Sequence, residues 1–336
     1  MPLPLITHPH YSYSFADKHR FPMQKFRLLH ALLVEQGIAT NSNVYRPAKA
    51  SMQLLKHAHC ADYLAKFVEN KLDKSELRRM GLPWSEALVR RTLLSPVGTL
   101  LTCQLALKNG IACHLAGGTH HAHFDFGSGF CILNDLAIAA NSLLAQGKIK
   151  KILIFDLDVH QGDGTARILH RQDNAFTCSV HCEKNFPARK AESNLDINIP
   201  SGASTEEYLE MMMDGFERAV RLSQPELIIY DAGVDIFSGD PLGLINVSVD
   251  GIRRRDHFVL NRAAELGIPI ATVIGGGYDK DERALASRHA TMVVLCRDAF
   301  IERMQDAFEL AANIFQFHCK ANFLHSVFTL KSRIQV

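Results

Sequence analysis

The run Asp156-Leu157-Asp158-Val159-His160-Gln161-Gly162-Asp163-Gly164 follows an apolar stretch, Lys151-Ile152-Leu153-Ile154-Phe155. On an extended chain alternate residues share a face, so Asp156, Asp158 and His160 project together; carboxylates in such company are rare unless paired or bound to a cation. A metal site at the carboxyl end of a strand explains the composition. Aspartates capping the next helix are the competing reading, but a cap needs only one such residue. Zinc takes about four ligands, and a catalytic zinc keeps one position for water. Asp158, His160 and Asp235 supply three. Asp235 lies just past Leu227-Ile228-Ile229-Tyr230, although Ser238-Gly239-Asp240-Pro241 also permits a plain turn role for it.

A second cluster, Gly117-Gly118-Thr119-His120-His121-Ala122-His123, offers two adjacent imidazoles from one loop, and histidine suits proton transfer near neutral pH. Asp156 and Asp163 are placed to orient one ring each through Nδ1. His123 reads as a loop residue or a supporting one. A third cluster, Ile274-Gly275-Gly276-Gly277-Tyr278, combines permissive backbone with a phenol that can polarise a carbonyl. Phosphate binding is disfavoured there, because GxGxxG spacing and the Walker lysine are both absent.

These clusters need elements to hold them. Helical apolar spacing marks 23–36 and 51–68, and from Gly98 helices (98–109, 132–146, 204–222, 250–266, 281–310) alternate with strands (111–115, 151–157, 175–180, 226–231, 269–274). Ser204-Thr205-Glu206-Glu207 is a capping-box signature. The alternation predicts a mostly parallel sheet covered on both faces, with ligands at the carboxyl ends of its strands. The polar clusters 117–125, 158–163, 231–240 and 275–279 all fall on that rim.

The 336 residues carry no evident linker, repeat or low-complexity segment, which favours one domain over 1–312 and an extension, 313–336, without a readable motif. A net charge of +2 does not call for nucleic-acid binding. Eight cysteines (60, 103, 113, 131, 178, 182, 296, 319) contain no CxxC pair, which fits reduced thiols in the cytoplasm. Met1-Pro2-Leu3-Pro4 lacks a signal-peptide pattern, and no apolar run reaches membrane-spanning length. The expectation is a soluble, unprocessed protein with no membrane partner.

Taken together and in this order, Gly117 to Ala122, Gly129-Phe130-Cys131-Ile132-Leu133-Asn134-Asp135, Asp156 to Gly164, Asp235 with Gly239-Asp240-Pro241, and Gly275-Gly276-Gly277-Tyr278 resemble the zinc-dependent histone deacetylases, most of all the small class IV branch with its bacterial relatives. The resemblance runs from about His8 to Asp298. It implies an arginase-like three-layer α/β/α fold with an eight-stranded parallel sheet. It also implies one catalytic zinc on Asp158, His160 and Asp235, His120 paired with Asp156, His121 paired with Asp163, and Tyr278 polarising the carbonyl. A structural potassium would sit among Asp156, Asp158 and the backbone oxygens of His160, Ser179 and Val180. Gly129, Phe130, Phe186, Leu242 and Gly276 would line the acyl-lysine tunnel, with an apolar rim. Gln161 stands where many class I members have a second histidine, and no acidic loop matches the one that holds peptide backbone in that class.

The implied activity is hydrolysis of the amide on the ε-amine of lysine in a protein or peptide: His121 moves the proton, His120 assists electrostatically, and Tyr278 donates to the oxyanion. Class IV resemblance further implies tolerance of longer acyl chains where the pocket is deep. Hydrolysis of acetylpolyamines or other small amides needs the same site. An arginase-like ureohydrolase needs a paired-manganese set that a single three-ligand site does not provide, and a non-catalytic acyl-lysine binder has no use for the complete set. The oligomeric state is unreadable from the sequence.

Overall fold

Eight parallel strands form one sheet: β1 (Leu5–Ile6), β2 (Val44–Tyr45), β3 (Ile111–His114), β4 (Ile152–Asp156), β5 (Ala175–Cys182), β6 (Leu195–Ile199), β7 (Leu227–Asp231) and β8 (Ile270–Val273). Their spatial order is β2-β1-β3-β8-β7-β4-β5-β6. The structure, a computed structural model, describes residues 2–15, 19–303 and 305. The extension expected at 313–336 lies outside them, as does the end of the expected 281–310 helix. No described helix is long and apolar enough to cross a membrane.

Helices α1 (Lys25–Glu35), α2 (Met52–Leu55), α3 (Ala61–Val68), α4 (Lys74–Met80), α5 (Glu86–Asn109), α6 (Asp135–Ala145), α7 (Asp163–Leu169), α8 (Thr205–Ser223), α9 (Val249–Glu265) and α10 (282–303) complete the chain order. Every residue of β3, β4, β7 and β8 is buried, as a parallel sheet covered on both faces requires. The central strands β3, β8, β7 and β4 send their carboxyl-terminal loops to one rim, and the three sequence clusters meet there.

Several boundaries depart from the sequence expectation, each for a local reason. The helix expected from Gly98 begins twelve residues earlier at Glu86, where the Ser85 side chain accepts from Leu88 N, and Pro96 sits inside it. Both Pro96 and Gly98 are buried in this helix, so tertiary packing overrides the local cost of proline. The span 51–68 is two helices, because Cys60 is extended and its N–H donates to Phe124 O (2.9 Å) while His59 Nε2 accepts from Asn134 N (2.8 Å). The capping box at Ser204 is present. Helices α4 and α7 and strands β1, β2 and β6 escaped the periodicity reading.

Candidate active site

The loop after β3 carries His120 and His121. Asp135, at the start of α6, anchors this loop by accepting from Thr119 N (2.8 Å) and Gly118 N (3.3 Å). His120 Nδ1 meets Asp156 Oδ2 at 2.8 Å, and His121 Nδ1 meets Asp163 Oδ1 at 2.7 Å. The other Asp163 oxygen faces His123 Nε2 at 3.0 Å, so His123 supports the same carboxylate. The paired rings lie 4.1 Å apart between centroids.

The loops after β4 and β7 bring together Asp158, His160 and Asp235, all buried. His160 Nδ1 stands 3.0 Å from Asp158 Oδ1 and 3.2 Å from Asp235 Oδ2. Backbone amides fix the remaining oxygens: Gly276 N donates to Asp158 Oδ2 (2.7 Å) and Val159 N to Asp235 Oδ1 (2.9 Å). Metal–ligand bonds of about 2.0–2.2 Å in tetrahedral arrangement separate ligand atoms by about 3.3 Å. His160 Nδ1 stands at nearly that spacing from both carboxylate oxygens, and ligand atoms of the three residues lie within 4.8 Å of one another, an arrangement that fits a zinc ion. Gly276 closes the cluster, since a Cβ there would stand 2.2 Å from Asp235 Oδ2 and 2.3 Å from Asp158 Oδ2.

Charge divides the histidines. Burial opposes a proton on His120, but the Asp156 and Asp158 carboxylates outweigh it and hold its pKa well above the usual range. His121 moves the other way, down to about 4, through burial and the neighbouring His120 charge, against the pull of Asp163. The surroundings of the two adjacent imidazoles thus push their proton affinities in opposite directions. His160 is also disfavoured as a cation by burial, yet Asp158 and Asp235 raise it to about 10. The Tyr278 phenol is pushed well above 10 by burial and then by Asp158 and Asp235, so it remains a donor. Asp240 holds this segment by accepting from Tyr278 N (2.7 Å).

An inner cavity of about 40 Å³ reaches His120, His121, Asp158, His160 and Tyr278, and an outer one of about 480 Å³ opens beyond them between Phe130, Phe186 and Leu242. Gly129 borders both at a φ of +52°, where a Cβ would meet His121 Cδ2 at 2.6 Å. The expected apolar rim needs correction: Arg20, Arg78 and Arg79 also line the outer cavity. Of the expected cation group, Asp156 faces Ser179 across the β4–β5 register, with Val180 next in the strand.

Sequence reasoning missed three buried charged residues here. Lys25 donates to Gly275 O (3.1 Å) and Gly277 O (3.4 Å), clamping the glycine loop from behind; burial lowers its pKa to about 8. Arg91, from α5, lines the same inner cavity. Asp231 forms a second group with His120 and Asp156, beyond the single set read from the sequence. His120 and Asp156 are already bonded to each other, and burial followed by the Asp156 charge raises the Asp231 carboxyl well above its usual range. A lysine at a helix start and an aspartate ending an apolar strand carried the available signals.

Residues 19–294 match the histone deacetylase domain. The chain belongs to the histone deacetylase family. This deacetylase-family chain is 45% identical over 300 residues to an uncharacterized protein of Picosynechococcus sp., covering 89% of this chain and all of that one. It is 32% identical to histone deacetylase 2 of Arabidopsis thaliana, over 78% of this chain and 70% of that protein. The fold is shared with a deacetylase homologue from Aquifex aeolicus (TM-score 0.73, 23% identity, 88% and 85% covered). An acetylpolyamine aminohydrolase from Burkholderia pseudomallei shares it as well (TM-score 0.70, 21% identity, 88% and 98% covered). As a member of this zinc-dependent family, the protein is an amide hydrolase of the deacetylase type.

Proposed function

We propose that the protein removes a short acyl group, acetyl foremost, from the ε-amine of lysine in proteins or peptides. The convergence of Asp158, His160 and Asp235 with two carboxylate-paired imidazoles and the Tyr278 phenol on one cavity carries this reading. Asp158, His160 and Asp235 would hold a zinc ion, whose Lewis acidity would be available to polarise a carbonyl and acidify a water molecule.

The chain's own residues do the rest. His121, oriented by Asp163, accepts the water proton on Nε2 as oxygen adds to the carbonyl carbon, and returns it to the nitrogen as the C–N bond breaks. His120 keeps its charge and stabilises the anionic transition state, while Tyr278 donates to the oxyanion. The products are a carboxylate and a free amine. Asp156 and Ser179 support the further assignment of a structural potassium next to β4.

The inner cavity argues for short acyl groups, against the longer chains the class IV resemblance implies. Its 40 Å³ is room for roughly three water molecules. So small a volume favours an acetyl group over a long acyl chain. The shared fold of an acetylpolyamine aminohydrolase favours a second reading, hydrolysis of small cationic amides. Three arginines at the mouth oppose it, because they repel the additional ammonium group.

Parallel kcat/KM measurements on zinc-replete enzyme decide among these readings. The substrates are an acetyl-lysine peptide, a myristoyl-lysine peptide and N8-acetylspermidine, with His160→Ala as a control that should lose zinc and activity together. The acetyl peptide should lead. Leadership by the polyamine overturns the lysine reading, and full zinc occupancy in His160→Ala overturns the ligand set.

A further inference from the structure

The outer cavity lining contains Arg20, Arg78 and Arg79 and no aspartate or glutamate. All three arginines are exposed, and among the described residues none forms an ion pair with a carboxylate. The helix end that carries Arg78 and Arg79 is tied to the tunnel wall. Arg78 and Arg79 occupy the last turn of α4, where Gly129 N donates to Arg79 O (3.2 Å) and Phe130 N to Met80 O (2.9 Å). His19 Nε2 donates to Gly81 O (3.0 Å), and that contact brings the adjacent Arg20 to the same side. The Arg20 guanidinium lies 5.0 Å from the Phe130 ring centroid and that of Arg79 lies 4.1 Å from Phe126.

Basic residues in a last helical turn complement the helix dipole, which accounts in part for Arg78 and Arg79. It does not account for Arg20, which comes from a separate segment and reaches the same cavity. An acyl-lysine side chain filling the tunnel leaves its own Cα at this mouth, and consecutive Cα atoms are only about 3.8 Å apart. Neighbouring groups of the substrate therefore meet the arginines.

Resting on the acyl-lysine reading above, we propose that this mouth selects substrates bearing a carboxylate beside the acylated side chain. That carboxylate belongs either to acidic residues flanking the lysine or to the free α-carboxylate of acyl-lysine itself. Basic flanks are disfavoured by the same charges. The selection is electrostatic and exposed, so it acts mainly on KM and weakens with salt.

The test is a matched series of acetyl-lysine peptides with Glu, Ala or Lys flanks, together with Nε-acetyl-lysine and its α-amide, assayed at low and high ionic strength. We expect kcat/KM to fall in the order Glu, Ala, Lys, spanning about tenfold or more at low salt and collapsing at high salt. Arg20→Gln and Arg78→Gln should each narrow the Glu-to-Lys ratio by about two- to fivefold, a ratio that partial loss of folded enzyme does not alter. Preference for Nε-acetyl-lysine over its amide supports the inference and names the free carboxylate as the source; preference confined to the Glu peptides supports it and names the flank. Equal rates on Glu and Lys peptides, together with equal rates on Nε-acetyl-lysine and its amide, overturn it while leaving lysine deacetylation intact. Failure on every lysine substrate, with N8-acetylspermidine turned over, overturns both.

Discussion

His121 Nδ1 meets Asp163 Oδ1 at 2.7 Å, the contact on which the proposed proton transfer depends. His121→Ala should lower turnover by about two to four powers of ten, whereas Asp163→Asn, which leaves the ring present but poorly oriented, should cost about ten- to a hundredfold. Single-turnover rates on zinc-replete variants check the order, and a larger loss in Asp163→Asn would reverse the assigned roles. Tyr278→Phe should retain zinc and fold yet lose about two to three powers of ten in kcat, the cost of one oxyanion donor. Near-native turnover there would return Tyr278 to packing. The clustering of Asp158, His160 and Asp235 and of the carboxylate-paired histidines was legible because such residues are out of place beside apolar strands, whereas Phe130, Phe186, Ser179 and Val180 entered only through the family resemblance. Lys25 and Asp231 were not legible, because their meaning comes from burial: the sequence shows a lysine among helix residues, and only the fold places its Nζ on two glycine carbonyls.

At the scale of elements, His59 joins three helices. It lies between α2 and α3, and its Nε2 accepts from the amide of Asn134, whose own side chain caps α6 by accepting from Ala137 N (2.9 Å). Burial lowers its pKa from 6.5 to about 4. Between those values the unfolded chain binds a proton that the folded one excludes, so this residue makes stability fall as pH drops from about 6.5 to 4, by roughly 3 kcal/mol. His59→Gln should keep an acceptor but remove about one proton from that slope. Urea unfolding across pH 4–7 checks it, and an unchanged slope would show that His59 titrates normally. The same residue explains why 51–68 read as one helix: the apolar spacing is real, but a long-range hydrogen bond breaks it. Strand β6, Leu-Asp-Ile-Asn-Ile, had a legible alternation. The two-residue strands β1 and β2 are too short for any period, and the buried packing of α5 overrides Pro96.

For the whole molecule, alternating strands and helices implied a parallel sheet with its site on the carboxyl rim, and the eight-strand count came from the family resemblance. The order β2-β1-β3-β8-β7-β4-β5-β6 had no local signal, because β7 and β8 return between β3 and β4 after long excursions. That insertion sets Asp235 beside Asp158 and His160 and concentrates buried negative charge at the sheet centre. Without metal, a proton on His160 offsets part of it: the folded pKa of about 10 exceeds the unfolded 6.5, so this stabilisation is complete below about pH 6.5 and is lost as pH rises through about 10. Zinc must displace that proton, so its binding should strengthen by about 1.4 kcal/mol per pH unit within this window. At fixed free zinc, the Tm difference between zinc-loaded and chelated protein should therefore widen from pH 6.5 to 9. A constant or narrowing difference would mean that His160 carries no proton in the metal-free fold.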